Sequence, residues 1–132
     1  MKSVNTDNAP KAFGPYAQAV IANGFIFCAG QVGYDRKKDA FAKGIEKQTH
    51  QVMKNLRAVL EEAGSDFEQV VKTTIFLADI ADFPKVNEIY GSYFTENKPA
   101  RSTVQVAKLP REEALIEVEV IAVTKDCQCE NC

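Results

Sequence analysis

The sequence predicts an α+β fold in which a single mixed β-sheet carries two helices on one of its faces. Strand-like and helical segments alternate along the 132 residues in the order β-β-α-β-α-β-β, and this length suits one domain. In the second half, a strand, a helix and a strand follow one another, which is the order of a right-handed crossover between parallel strands. Each helix has one apolar stripe, so both helices should pack on the sheet through a single side.

The first predicted element is a β-hairpin. Residues 18–22 and 25–29 are mostly apolar, and they flank Asn23 and Gly24. An Asn-Gly pair between apolar segments is typical of a two-residue hairpin turn. Residues 30–39 contain glycines and aspartates and predict a loop.

The first helix is predicted over residues 45–63. Its apolar side chains recur at helical spacing, and Gly64 directly after them is a typical stop signal. The stripe consists of Val52, Leu56, Val59, Leu60 and Ala63. His50, the only histidine, lies off this stripe, so we expect it at the surface and expect no Ser/His/Asp catalytic set.

The second half predicts a βαβ unit and a final strand. Residues 71–78 are rich in β-branched and aromatic side chains and predict a strand buried on both faces. Asp82 is placed to cap a second helix over residues 84–95, which leads into a parallel strand over residues 100–108. A last strand is predicted over residues 115–125. The inner stripe of the second helix consists of Val86, Ile89, Tyr90, Tyr93 and Phe94.

The last strand presents an unusual second face. Its even-numbered positions from 116 to 122 are apolar and suit the core, whereas Ile121 and Val123 share the opposite face with Glu117 and Glu119. Because helices cover only one face of the sheet, such a face stays exposed unless another subunit covers it. The pattern therefore predicts an oligomer.

Composition excludes several classes of protein. The 16 lysines and arginines and 18 acidic residues give a net charge of −2 without long runs of like charge, which argues against a nucleic-acid partner. The first ten residues are polar, and no segment offers the roughly 20 apolar residues of a membrane helix, so we expect a cytoplasmic protein with no membrane contact.

The cysteines do not form a disulfide framework. Cys28 lies in an apolar segment, and the other three fall within residues 126–132. We expect a single domain over residues 1–125 and a disordered, cysteine-containing tail over residues 126–132. The domain has neither zinc-ligand spacing nor a nucleotide-binding glycine pattern, so we expect no metal or cofactor.

Two charged strand residues are candidates for chemistry. Arg101 follows Pro99 near the start of a strand, where its planar guanidinium could bind a carboxylate through two hydrogen bonds. A surface ion pair is the alternative, and spacing alone favours it. Glu117 could orient and polarise a water from a cleft, although its alternation with apolar residues is also usual for a solvated strand face.

Two further positions could contact a ligand. Gly14 and Pro15 form a fixed turn before Tyr16, whose phenol is either a buried anchor or a hydrogen-bond donor. Gly30, after Ala29 at the predicted end of a strand, could bring its backbone N–H close to a ligand, although hairpins often end this way for structural reasons.

Several motifs together resemble the RidA (YjgF-type) family. In the family's order and at its spacing, the chain has Ala9-Pro10, Gly14-Pro15-Tyr16, Gly30-Gln31, Lys72-Thr73-Thr74, Asp82-Phe83, Val86-Asn87, Pro99-Ala100-Arg101-Ser102 and Ile116-Glu117. The similarity spans residues 8–123. It implies a chorismate-mutase-like fold and a homotrimer with ligand clefts between subunits. It also implies hydrolysis of 2-iminopropanoate and 2-iminobutanoate to 2-keto acids and ammonia without a cofactor.

The resemblance also implies roles for individual residues. By position, Arg101 grips the substrate carboxylate and Glu117 orients the hydrolytic water. The implied lining of the pocket is Tyr16, the Gly30 backbone, Asn87 and Thr103. The chain departs from the family at two positions: Ala29 stands where a serine is common, and Thr103 stands where a cysteine is common. The first departure bears on the rate of turnover more than on the type of reaction.

Two other functions stay open. The same trimer could be a non-catalytic protein that senses a small carboxylate, and Ala29 gives this alternative some weight. An RNA-acting protein is the third possibility, which the acidic balance and the lack of basic patches in the sequence oppose.

Strand register bears on where the site lies. If the strands over 100–108 and 115–125 form a simple hairpin, Arg101 lies opposite Ala122, and its offset from Glu117 is about 16 Å. That distance is too long for both side chains to hold one small imino acid. We therefore expect either a different strand pairing or a glutamate supplied by a neighbouring chain.

Overall fold

The computed structural model describes residues 1–125 and shows the predicted α+β architecture, with one mixed sheet and two helices. The strands are β1 (Lys2–Val4), β2 (Ala19–Ala22), β3 (Phe25–Val32), β4 (Tyr34–Asp35), β5 (Ala40–Phe41), β6 (Val70–Leu77), β7 (Ala100–Gln105) and β8 (Ile116–Val123). The helices are α1 (Ile45–Glu62) and α2 (Phe83–Gly91), with short 3₁₀ turns over Phe67–Gln69 and Ile80–Asp82. The main sheet has the order β1-β2-β3-β8-β6-β7, and β4 pairs with β5 separately. The predicted cysteine-containing tail lies outside the described residues.

The predicted first helix is confirmed. The apolar stripe of α1 is buried against the sheet and ends at Ala63. Gly64 has φ +79°, and Ser65 N–H donates to the Leu60 carbonyl at 2.8 Å, which is the Schellman stop that a glycine favours. Within residues 1–125, neither helix combines the length and apolar character that crossing a membrane would require.

The second helix is shorter than predicted. It ends at Gly91 rather than 95, because Ser92, Tyr93 and Phe94 donate to carbonyls three residues back and tighten the chain into 3₁₀-type turns. Asp82 occupies the N-cap position but makes no side-chain capping hydrogen bond, so that part of the prediction is wrong. The aspartate that does cap is Asp79, at the start of the preceding 3₁₀ turn, where its side chain accepts from Ala81 N–H at 2.9 Å.

The predicted β2–β3 hairpin is confirmed, but β3 does not end at Ala29. Asn23 and Gly24 both have positive φ, as a two-residue hairpin turn requires. The strand continues to Val32 through a β-bulge. From Cys28 to Gln31 it advances three residues, whereas its partner β8 advances only two, from Val120 to Val118. A bulge re-aims the side chains and backbone of one strand without ending its pairing.

The parallel pairing of β6 with β7 is confirmed, whereas the predicted hairpin of β7 with β8 is wrong. β8 lies between β3 and β6 and pairs antiparallel with both. β8 thereby satisfies its backbone groups on both sides. β7 is largely exposed and takes the edge of the sheet.

One sheet face remains uncovered within the chain. The prediction that β6 is buried on both faces is wrong, since Val71 is 44% exposed and buried residues alternate along the strand. We call this uncovered side the open face. It also carries Phe25, Phe27 and Val104, each more than 40% exposed. Such an apolar surface agrees with the oligomer that the last strand predicts.

Three short strands were not predicted. β1 covers only Lys2–Val4 and carries a charge, yet it pairs with β2 through Lys2 and Ile21. β4 and β5 are two residues each; β4 lies within the predicted loop over residues 30–39, and β5 begins directly after it. Strands this short have no readable apolar alternation, so only their tertiary pairing defines them.

Candidate functional site

The candidate residues fall into two groups at two separate cavities. Tyr16, Ala29, Gly30 and Glu117 line a cavity of about 380 Å³, and we call them the glutamate cluster. A second cavity of about 460 Å³ is lined by Asn87 and Arg101. Together with Thr103, two residues further along the same face of β7, these residues form the arginine cluster.

The bulge in β3 places the Gly30 backbone against Glu117. Glu117 lies on β8 and pairs with Val32 of β3 and Phe76 of β6. A Cβ atom on residue 30 would lie 2.8 Å from the Glu117 Cδ and 2.9 Å from its Cγ, closer than real side chains pack. Only glycine therefore leaves room for the glutamate side chain in this position.

Glu117 is half-buried, and its surroundings disfavour its charge. Burial raises the pKa of the Glu117 carboxyl above its ordinary value, and the neighbouring Glu119 raises it further. Perturbed carboxyls in clefts are typical of functional sites, since a carboxylate of raised pKa is a better proton acceptor.

Tyr16 lines the glutamate cavity and is not a buried anchor. Its side chain is 55% exposed at the mouth of the glutamate cavity. Gln18 fixes the segment on either side of it: the buried amide donates to the Thr6 and Pro10 carbonyls at 3.1 and 2.8 Å and accepts from Thr6 N–H at 2.6 Å. The phenol is therefore held on an anchored loop.

Arg111 also lines the glutamate cavity, and no sequence pattern had singled it out. Its guanidinium stacks over the rings of Phe41 at 5.1 Å and Tyr34 at 5.6 Å. Both rings belong to the β4–β5 pair, of which only β4 falls within the predicted loop. The lining of this cavity thus includes a cation as well as a carboxylate, and cation–π contacts hold the cation in place.

Arg101 is positioned by α2. Its Nη1 donates to the Asn87 Oδ1 at 2.6 Å, and its guanidinium lies over the rings of Phe83 and Tyr90 at 5.2 and 5.0 Å. Among the described residues it forms no ion pair, so the surface ion pair that spacing favoured is wrong. The side chain is fixed, charged and exposed, as an anion-binding arginine should be.

Thr103 carries an unsatisfied hydroxyl. Its Oγ1 is buried and has no hydrogen-bond partner within residues 1–125. Buried polar atoms in proteins are nearly always paired, so an orphan beside Arg101 indicates a partner that the single chain does not provide. His50, by contrast, is exposed as predicted and contacts Tyr93 Oη at 2.8 Å, away from both clusters.

The two clusters cannot meet within one chain. Arg101 pairs with Thr73 of β6, and Thr73 pairs with Val120 of β8. The guanidinium therefore lies on the helix side of the sheet, whereas Glu117, three residues from Val120, faces the open side. Two strand spacings and three residues separate their Cα atoms by about 14 Å. Of the two predicted alternatives, the structure shows a different strand pairing, and this pairing still leaves Arg101 and Glu117 on opposite faces of the sheet.

Gly30→Ala tests the contact between the bulge and the glutamate. The added methyl would displace the Glu117 side chain while leaving the fold intact, because Gly30 does not have a positive φ. Since small displacements of a reacting group are costly, we expect kcat/KM for an imino acid to fall about 100-fold or more. Circular dichroism and the melting temperature should stay close to wild type. Full activity in this variant would show that Glu117 has no positional role.

Comparison with known proteins gives consistent matches. The family model described as endoribonuclease L-PSP matches residues 6–124. The chain is 47% identical over 123 residues to the 2-iminobutanoate/2-iminopropanoate deaminase of Rattus norvegicus, covering 92% of this chain and 89% of the relative. It is 51% identical over 120 residues to the chloroplastic Reactive Intermediate Deaminase A of Arabidopsis thaliana, covering 90% and 64%.

Solved structures agree with the sequence comparisons. The structure of the YjgF gene product from E. coli superposes with a TM-score of 0.89 at 40% identity, covering 93% of this chain and 98% of that one. The motifs that resembled the RidA family therefore occur in a chain with the matching fold. These matches show that the chain belongs to the RidA (YjgF-type) family, whose sequence model is described as endoribonuclease L-PSP.

Proposed function

We propose that this protein is a deaminase that hydrolyses small 2-imino acids, 2-iminopropanoate and 2-iminobutanoate, to 2-keto acids and ammonia. We further propose that it works as a cytoplasmic homotrimer, in which the glutamate cluster of one subunit faces the arginine cluster of the next. The observation that carries the proposal is the division of the candidate residues into two complementary halves. One half has a fixed cation and an unpaired hydroxyl, and the other has a carboxylate of raised pKa.

The two halves suit the two ends of an imino acid. Arg101 would bind the substrate carboxylate through its guanidinium fork, with Asn87 holding the fork in place. Thr103 would donate its free hydroxyl to the same end of the substrate. Binding in this orientation would present the imine carbon to the opposite wall of the cleft.

Glu117 would act as the general base and general acid of the hydrolysis. It accepts a proton as a water oxygen bonds to the electrophilic imine carbon, giving a tetrahedral carbinolamine. Glu117 passes that water proton to the imine nitrogen, which completes the carbinolamine. It then transfers the carbinolamine hydroxyl proton to the amino nitrogen, so ammonia leaves as the C–N bond breaks and the carbonyl forms. Such acid–base help typically contributes about 10² to 10⁴ in rate. An imine needs no more, because its carbon is already electrophilic, so the chain's own residues suffice.

Other observations support the proposal. Two relatives at 47% and 51% identity are named as deaminases, one of them for these two imino acids. The open face carries the exposed apolar residues that a subunit interface would cover. Because Ala29 stands where the family commonly has a serine, the glutamate cluster lacks one hydroxyl. We expect this difference to affect the rate of turnover rather than the type of reaction.

A coupled assay tests the function. A dehydratase that generates 2-aminoacrylate from serine supplies the imine in place, and semicarbazide competes for it. We expect this protein to accelerate formation of pyruvate and ammonia at the expense of the semicarbazone. Binding of a carboxylate analogue without any acceleration would instead favour the non-catalytic sensor. Cleavage of RNA without imine hydrolysis would favour the activity that the family description names.

A further inference from the structure

A further cleft lies between the β4–β5 pair and the exposed side of α1. The cleft there has a volume of about 560 Å³. Four lysines line it, and we call it the lysine cleft: Lys38, Lys43, Lys47 and Lys54. Neither the glutamate cluster nor the arginine cluster contributes to its walls. A volume of this size matches the pockets that hold small molecules.

The fold gathers lysines that are dispersed in the sequence. Lys47, His50 and Lys54 lie at helical spacing on one side of α1. Lys38 and Lys43 approach from the β4–β5 segment. Asn55 on α1 anchors the β4–β5 segment to the helix, since its Nδ2 donates to the Val32 and Tyr34 carbonyls at 3.0 and 2.9 Å. The cleft is therefore fixed by a buried amide.

The charges in the cleft are not balanced within the described part of the chain. None of the four lysines forms an ion pair there. Asp35 is the single acidic residue in the lining, and its Oδ1 already accepts from the backbone N–H groups of Lys37 and Lys38 at 3.0 and 3.4 Å. A protein of net charge −2 thus concentrates positive charge at one concave place. The expectation that it lacks basic patches is wrong, because the patch exists only after folding.

We propose that the lysine cleft binds a small, phosphate-rich anion. Four lysines that line one cavity can share several phosphate oxygens through charge-assisted hydrogen bonds. Phe41 and His50 add ring surface to the walls, which suits an organic phosphate with an apolar or aromatic part. The cations surround a cavity and do not extend along a stripe, which favours a small molecule over a nucleic-acid strand.

Titration calorimetry at low salt tests this site with two probes, inorganic tripolyphosphate and ATP. We expect saturable binding of one anion per chain, weakening as sodium chloride is added. Tighter binding of ATP would identify an organic phosphate as the ligand, and equal binding would identify the polyphosphate group alone. Deaminase activity is not part of the readout, so the result is independent of the proposed function.

The matched variants remove equal charge at different places. Lys47→Gln with Lys54→Gln should weaken tripolyphosphate binding roughly 100-fold, about tenfold for each charge-assisted hydrogen bond lost. Lys2→Gln with Lys108→Gln removes two exposed lysines outside the cleft and should leave the affinity within about twofold of wild type. Equal weakening in both double variants, absence of saturable binding, or binding of an RNA oligonucleotide but not of tripolyphosphate would each overturn the proposal.

Discussion

Arg101→Ala should reduce kcat/KM for imino-acid hydrolysis by about 100-fold or more, while the fold stays intact. A charge-assisted hydrogen bond contributes roughly 1.5–3 kcal/mol, and a bidentate pair also fixes the orientation of the bound carboxylate. Arg101 is exposed and makes one side-chain hydrogen bond, to Asn87, so its loss removes little from the folded core. Steady-state kinetics in the coupled assay, with circular dichroism as the check on folding, measure the effect.

Two variants separate substrate binding from packing. Arg101→Lys keeps the charge but loses the planar fork, and we expect it to recover little activity. Arg57→Ala is a matched control, because Arg57 also lies over two aromatic rings, each at 5.4 Å, but lines neither of the two cavities. Its loss should leave kcat/KM unchanged. Near wild-type activity in Arg101→Ala, or equal losses in both alanine variants, would remove Arg101 from the site.

Glu117→Gln should slow turnover by about 10² to 10⁴ while carboxylate binding persists, since an amide is a poor proton acceptor. It should also leave the protein at least as stable as wild type at neutral pH. Because the folded-state pKa of Glu117 is raised, the folded state is relatively favoured below the ordinary glutamate pKa. That advantage is lost as pH rises through the raised pKa, so the ionised side chain costs stability at pH 7. Thermal denaturation and kcat measure the two effects separately.

The pH profile gives an independent test of the same residue. Activity needs the Glu117 carboxylate, so kcat/KM should fall as pH drops through its raised pKa, above the range of an ordinary glutamate. Glu119→Gln removes one of the charges that raises this pKa and should move the acid limb to lower pH. An acid limb that Glu119→Gln leaves in place, or joint loss of binding and turnover in Glu117→Gln, would make Glu117 a structural residue.

Local patterns predicted the local structure of this protein. The Asn23-Gly24 turn and the apolar stripe of α1 depend on neighbours a few residues away, and both are confirmed. The pairing of β7 was wrong because sequence proximity suggests a hairpin, whereas β8 gains partners on both sides by lying between β3 and β6. Strand order is decided by such distant contacts, which apolar alternation does not encode.

The candidate site likewise has features that the sequence predicted and features that depend on long-range contacts. The resemblance to a family supplied Arg101 and Glu117, and alternation correctly placed Glu117 on the uncovered side of β8. The contact of Gly30 with Glu117 depends on the bulge, and Arg111 reaches the cavity through stacking on the β4–β5 rings. Neither feature follows from the residues near it in sequence. The grouping of candidates into two halves likewise appears only when the sheet is assembled.

We propose that each active site is shared between two chains, and a mixture of two inactive subunit variants is the test of this sharing. In a cyclic trimer built from Arg101→Ala and Glu117→Gln subunits, every mixed assembly has one junction where an intact arginine cluster faces an intact glutamate cluster, about one site in three. We expect re-formed mixed trimers, verified by native mass spectrometry, to recover about a quarter of wild-type activity from an equal mixture, although neither parent is active. Mixed trimers that form but stay inactive would contradict a shared site and place both residues in the same chain's cleft.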